Sequence, residues 1–269
     1  MPGVRPPSSG LLGRALKTLI RMHSRTAIAL EGKQLSTAEL HLKTLYILDG
    51  NGRITSTREP GATRGPLFSL VRSETCCVWA VRADVPDDVA DELDALACQE
   101  PPALDSRNAP VYADRYVSIL QNRIWSGGHS AAIRQAVGPA FTFPDSLAQP
   151  DDVVIVEDER QLDHNFQGWV AGEIAAGRRP VMAIVKDGYP VSICFCARSS
   201  DLAAEAGLET AEAFRGRGFG PRVTAAWALA IRASGRIPLY STSWTNEPSL
   251  KVARKLRLNA YASGWSISD

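Results

Sequence analysis

The chain has little of several things that would settle its character at once. It carries five cysteines, four histidines and three methionines in 269 residues. The cysteines (Cys76, Cys77, Cys98, Cys194 and Cys196) are odd in number and irregular in spacing, which excludes a fully paired disulfide framework. Neither Cys-Cys nor Cys-Phe-Cys has the usual zinc spacing, and the scattered His23, His41, His129 and His164 complete no metal cluster,. The expectation is no metal, and reduced, buried structural cysteines in a cytoplasmic protein. Charge of one sign is lacking too. Thirty basic residues face 29 acidic ones, a formal net charge of +1, so no global field favours nucleic acid or a membrane surface. No apolar run approaches the roughly 20 residues a membrane helix needs.

What is present has the balance of a globular protein: 45% hydrophobic and 22% charged residues, on a chain long enough to bury a sizeable core. The N-terminus is atypical, with Arg5, Arg14, Lys17, Arg21 and Arg25 but no acidic residue up to Leu30. Leu12, Ala15, Leu16, Leu19 and Ile20 follow a rough helical period. Residues 1–25 read as a basic tail outside the fold, although such a helix also suits a membrane or an acidic partner. Residues 26–145 read as an N-terminal α/β region. Thr44 to Leu48 and Arg53 to Ser56 flank a Gly-rich turn as a hairpin, and Leu67 to Arg72 pairs with Cys76 to Arg82. Pro86 opens a helix at its first position, running to about Gln99. Another helix lies near Tyr112 to Arg123. Pro139 to Pro150 reads as a linker.

From 151 to 269 the pattern sharpens. Val153 to Val156 is a strand. Glu159 to Ala176 has a helical face of Leu162, Phe166, Trp169, Val170 and Ile174. Val181 to Val185 and Val191 to Ala197 form a hairpin around Lys186-Asp187-Gly188, and Ala203 to Ala211 is a strand. A helix to Ala233, a strand Ile237 to Ser243, a helix Pro248 to Leu256 and a strand Ala260 to Ile267 complete the chain. Val223, Trp227, Ala230 and Ile231 form the stripe that packs the first of these helices on a sheet. Trp244 and Trp265 near strand ends either pack or line a pocket.

Between the strand and its helix stands Arg215-Gly216-Arg217-Gly218-Phe219-Gly220. Alternate glycines let backbone approach a ligand. The first N–H groups of the following helix are unpaired and the helix dipole adds positive potential, which suits a diphosphate. Arg215 and Arg217 add charge. The spacing is neither the dinucleotide fingerprint nor a phosphate loop ending in Gly-Lys-Ser/Thr.

Arg215, Gly218 and Gly220 fit the Arg/Gln-x-x-Gly-x-Gly/Ala pattern of the GNAT (GCN5-related N-acetyltransferase) superfamily, and the chain resembles it over about Val181 to Ile267. The segment PLYSTSWTNEPSLKVARKLRL is similar to a bacterial branch of that family. The resemblance implies an α/β fold of the GNAT type: a mixed, splayed sheet with flanking helices, here preceded by the N-terminal α/β region, for which a degenerate or partial copy of the same fold stays open. It implies acetyl-CoA or another acyl-CoA as co-substrate, bound by Arg215 to Gly220, by the backbone around Leu208, Thr210 and Ala211, and by Asn246 and Ser249. It implies direct attack of an amine on the thioester, with Glu205 or Glu209 as base and Ser249, Tyr240 or water as acid. Ala253 stands where many members carry the acid tyrosine, and Arg257 where a glycine is usual. The expected activity is acetyl transfer to a small-molecule amine or a peptide N-terminus, without nucleic acid or membrane as partner; a homodimer stays open. The alternative is a non-catalytic acyl-CoA-binding module, regulatory or scaffolding.

Overall fold

A computed structural model describes residues 28–30, 33–103, 107–124 and 133–269. The basic segment 1–25 and His129 lie outside them. The chain starts with a short pair, β1 (Ile28–Leu30) and β2 (Lys33–Leu35). Helix α1 (Thr37–Leu45) follows under a capping box, in which Glu39 N–H donates to Ser36 Oγ at 3.2 Å and Ser36 N–H to the Glu39 carboxylate at 2.8 Å,. β3 (Tyr46–Leu48) and β4 (Ile54–Thr57) form the predicted hairpin. β5 (Phe68–Ser73) and β6 (Cys77–Val81) form the second. Helix α2 (Asp87–Ala97) has Pro86 as its N-cap rather than its first residue. Helix α3 (Ala113–Ile124) precedes β7 (Arg134–Thr142). Then come β8 (Val154–Ile155), β9 (Met182–Lys186), β10 (Tyr189–Ser199) and β11 (Ala203–Thr210). Helix α4 (Phe219–Ala233), β12 (Ile237–Ser241), α5 (Glu247–Lys255) and β13 (Asn259–Ser268) end the chain.

Nine strands make one sheet in the order β6-β5-β13-β7-β12-β11-β10-β9-β8. All pairings within it are antiparallel except β11 with β12. The sheet runs across the 145–151 join between the two expected regions. β7, from the first, lies between β12 and β13 of the second. Alternation along the strands sorts the two faces. On one, Trp227, fully buried, packs with Val223 and Ile231 of α4, Tyr240 of β12 and Val252 and Ala253 of α5. α2 and α3 cover the same side further along, over Phe68, Leu70, Trp265 and Ile267. The opposite face carries α1 over Val71, Ala140 and Ala262, and the 156–181 segment over Ile193 and Phe195.

Three expectations are corrected. Pro139 to Pro150 is not all linker: its first residues belong to β7. Gly138-Pro139 reads as a turn, yet β7 pairs with β12 only from Ala140 onward, so the proline's missing N–H removes no ladder bond there. Gly138 is required because a Cβ would stand 1.7 Å from the Thr242 carbonyl oxygen. Second, Glu159 to Ala176 is not one helix. It holds a 3₁₀ turn at Glu159–Gln161 and a π turn at Ile174–Arg178. The Glu159 carboxylate accepts the Gly172 and Ile174 N–H groups at 2.6 and 2.5 Å, which holds the intervening chain in a loop. Leu162, Phe166 and Ile174 are buried as their spacing predicts, whereas Val170 is 63% exposed. Third, Cys98 is exposed and Cys76 and Cys77 are half-buried; only Cys194 and Cys196 are core residues.

Candidate active site

The glycine-rich loop forms the N-terminal approach to α4. Gly216 and Gly218 have φ of +77° and +80°, a region that favours glycine, and Gly218 is the N-cap residue. Gly220 is different: it is helical, and its missing side chain lets α4 sit against Leu208 and Val252. Basic groups surround the turn. Arg215 Nε donates to the Thr210 carbonyl at 3.2 Å and Arg217 Nη2 to the Ala213 carbonyl at 3.0 Å. Lys186 and Arg222 both stand 5.9 Å from the centre of the Phe219 ring. Free helical N–H groups, a left-handed glycine turn and flexible cations are what a diphosphate requires. Among the described residues no cluster of three or more His, Cys, Asp or Glu is arranged for a metal ion.

Beside the loop the sheet opens. β11 and β12 pair only over Ala203↔Ile237, Ala204↔Pro238 and Glu205↔Leu239. Past Glu205, β11 continues to Thr210 while β12 departs toward β7. The backbone of Ala206 to Thr210 is paired on its β10 side and has no strand on its β12 side. Leu208 and Thr210 lie along this edge. Ala211 lies beyond it, with its N–H given to the Val191 carbonyl at 2.9 Å and its carbonyl taken by Phe214 N–H at 2.9 Å; its backbone is already engaged within the protein. The edge is the same in kind as one that takes up an added extended chain.

The two candidate bases share the predicted face of β11 but not an environment. Glu205 is buried, with a side chain 4% exposed. One of its oxygens accepts from Arg198 Nη1 at 3.1 Å, and the other accepts from the Ser241 hydroxyl. Arg198 in turn meets Glu59 at 3.3 Å, so a loop of the N-terminal region reaches the site. Glu209 stands exposed at the far end of the strand. Partial desolvation pushes its carboxyl above the usual range, against the pull of Arg178 and with a smaller push from Glu173. Between the two, Phe195 covers Gly207 so closely that a Cβ would fall 2.5 Å from its ring. Trp169 meets Phe195 edge-on at 5.0 Å, and Arg178 lies over both rings at 5.8 and 5.0 Å. Nearby, Trp169, Val170, Ile174 and acidic residues from Glu157 to Asp163 line a cavity of about 310 Å³.

The candidate acids lie on the opposite face. Tyr240 is 2% exposed. Its hydroxyl donates to the Ser249 carbonyl at 3.3 Å, and burial, partly offset by the Ser249 side chain, pushes its pKa up to about 12. Ser249 N–H is taken by Asn246 Oδ1 at 3.2 Å, the N-cap of α5. Ala253 is buried in the core against α4. α4 and α5, which start at the loop and at Asn246, pack together through Gly220 and Val252, and the β11–β12 pairing closes at Glu205. Composition and spacing pass over Gly207, Phe195, Arg178, Arg198, Glu59 and Ser241. Only Gly207, mid-strand in the sequence, carries a legible sign of close approach.

Residues 162–260 match the family model of GNAT acetyltransferases. Over these residues the chain is similar to the GNAT superfamily. The GNAT match starts at Leu162, within the segment that covers β10, and ends in β13, so it takes in the loop, the opening and α5. No curated protein matches the chain. Among solved structures, it is similar to a GNAT-family acetyltransferase from Novosphingobium aromaticivorans at 17% identity and TM-score 0.43, over 50% of this chain and 64% of that one. A GNAT acetyltransferase from Colwellia psychrerythraea gives 13% identity and TM-score 0.43, over 72% and 80% of the two chains. A tandem GNAT protein from the clavulanic acid biosynthesis pathway gives 14% identity and TM-score 0.41, over 70% and 72%.

Proposed function

We propose that the protein is an acyl-CoA-dependent N-acyltransferase that carries acetyl from acetyl-CoA to a primary amine by direct attack in a ternary complex. The observation that supports this most is the edge of β11 past Glu205, left without a partner strand beside the left-handed turn at Gly216 and Gly218. The turn and the N-terminus of α4 suit the diphosphate, the edge suits the pantetheine arm, and Asn246 and Ser249 at the start of α5 are its expected further contacts. The thioester then lies toward the closed end, where Glu205 sits with Ser241. An ammonium has no lone pair, so a proton must leave before nitrogen attacks. A backbone N–H of β11 is the donor available to the developing oxyanion. The acceptor is a small amine or a peptide N-terminus.

The buried Ala253 favours a second reading, a module that binds acyl-CoA without turnover, since no phenol stands at that position to protonate the thiolate. The need is modest, because a thiol pKa near 8.5 makes thiolate a tolerable leaving group. Two measurements decide. Gly218→Asp puts a side chain on a residue at φ +80° and a negative charge against the phosphates; calorimetry should show CoA affinity reduced tenfold or more, about 1.4 kcal/mol. Unchanged affinity in a folded variant removes the site. CoA release from acetyl-CoA over a panel of amines separates enzyme from binding module.

A further inference from the structure

Of the two expected bases, Glu205 is buried behind its own partners. Glu205 Oε2 is held by Arg198 Nη1 at 3.1 Å and Oε1 by the Ser241 hydroxyl, and the side chain is only 4% exposed. An acceptor amine has no free carboxylate oxygen to meet. Ser241 is different. It is the last residue of β12, is partly exposed, and lies two residues past the last β11–β12 pair, Glu205↔Leu239, where the strands part. Its hydroxyl meets the carboxylate just past the point where the two strands part.

From this geometry, and resting on the acetyltransferase reading above, we infer that the Ser241 hydroxyl meets the acceptor amine and relays its proton to Glu205. The step balances. The ammonium gives one proton to Ser241 Oγ as the hydroxyl proton passes to Glu205, leaving a neutral amine, a neutral hydroxyl and a protonated carboxyl. The nitrogen lone pair then forms the C–N bond while the thioester C–S bond breaks. Sulfur leaves with the bonding electrons and takes the second nitrogen proton. Glu205 returns its proton to solvent by the same hydroxyl once product has gone.

The charged and titratable groups around Glu205 suit this. Arg198 from β10 meets one carboxylate oxygen of Glu205 at 3.1 Å, and Glu59 meets the same guanidinium at 3.3 Å. His41 from α1 is kept neutral by burial, and burial holds the Tyr261 hydroxyl of β13 and the Tyr46 hydroxyl protonated. Near neutral pH none of these three competes for the proton.

The test compares two acceptors with the intact protein, an alkylamine that is protonated at neutral pH and an aromatic amine that is not. With the alkylamine, Ser241→Ala should lower kcat by about 10²-fold, the low end of general-base help, and flatten the acid limb of the pH–rate profile. With the aromatic amine it should change kcat by less than about threefold, since no proton needs to leave before attack. CoA affinity by calorimetry should hold, Ser241→Thr should retain the relay, and Glu205→Gln should reproduce the Ser241→Ala pattern. If Ser241→Ala does not fold, the last two variants decide. Equal losses with both acceptors, or no loss with either, overturn the relay while wild-type turnover stands. A wild-type protein that binds CoA but releases none with any amine overturns the acetyltransferase reading, and the relay with it.

Discussion

Single residues in this structure do work at a distance from the opening. His41 is buried on α1, and its Nδ1 shares a 2.6 Å hydrogen bond with the Tyr261 hydroxyl. Desolvation lowers its pKa, the Glu205 carboxylate opposes that shift, and Arg198 adds to it. The sign follows from which state holds the proton. Below the ordinary histidine value of 6.5 the unfolded chain binds a proton that the folded chain refuses, so stability falls as pH drops through that value. The slope approaches about 1.4 kcal/mol per pH unit between the two pKa values. Urea denaturation at pH 7.5 and 5.5 should show this loss in the wild type and a smaller one in His41→Gln. Identical losses would mean that His41 is not held neutral by the fold. The surrounding cluster also explains why Glu205 and Glu209, four residues apart on one strand face, are not equivalent: the sequence places them together, but only packing gives Glu205 an arginine and a hydroxyl and leaves Glu209 exposed.

At the scale of elements, the loop from β12 into α5 is shaped by β7. Thr242 N–H donates to the Pro139 carbonyl at 3.3 Å and Trp244 N–H to the Val137 carbonyl at 3.4 Å, while the bare Gly138 lets that loop cross. Gly138→Ala must therefore push the segment that carries Asn246. It should cost about 1–3 kcal/mol as overpacking and weaken CoA binding severalfold. Gly216→Ala is the contrast, because nothing lies within 4 Å of its Cβ and the cost is backbone alone, about 1–2 kcal/mol. Equal CoA affinity in wild type and Gly138→Ala would detach β7 from the site. The same elements show what could be read beforehand. The hairpin at Lys186 and the glycine turn before α4 were legible because their residues require positive φ: Asp187 at 52°, Gly188 at 85°, Gly218 at 80°. α1 is not anticipated by the sequence reading: its Ser36-x-x-Glu39 capping box heads a short amphipathic stretch that runs straight into a strand. β7 was not legible either, since its Gly-Pro pair mimics a turn until the neighbouring strand's departure is known. The Glu159 to Ala176 period marks buried residues faithfully but cannot show that one carboxylate outcompetes helical bonding.

The whole molecule depends on that same interlock. β12 and β13 do not touch; β7 lies between them, paired with both. β13 continues on its other side into β5, and Trp265 and Ile267 bury themselves among residues of α2 and α3. The sheet of the 151–269 segment is thus completed by strands that precede it in the chain. Residues 151–269 alone would expose both edges of the gap, a template for edge-to-edge pairing, and would lose the apolar cover of Trp265 and Ile267. Expressed alone, this segment should be aggregated or lack near-UV circular dichroism, and it should not bind CoA. Starting instead at residue 133 restores β7 and with it β12–β7–β13 continuity, and should recover solubility only in part, because β5 and the α2–α3 layer are still missing. Addition of residues 28–145 in trans should recover CoA binding, as β7 is joined to β12 and β13 by strand pairing that needs no covalent connection. A soluble, cooperatively unfolding 151–269 segment that binds CoA as the full chain does would show that the shared sheet is not needed for the site, and that the N-terminal region contributes through Glu59 and Gly138 at most.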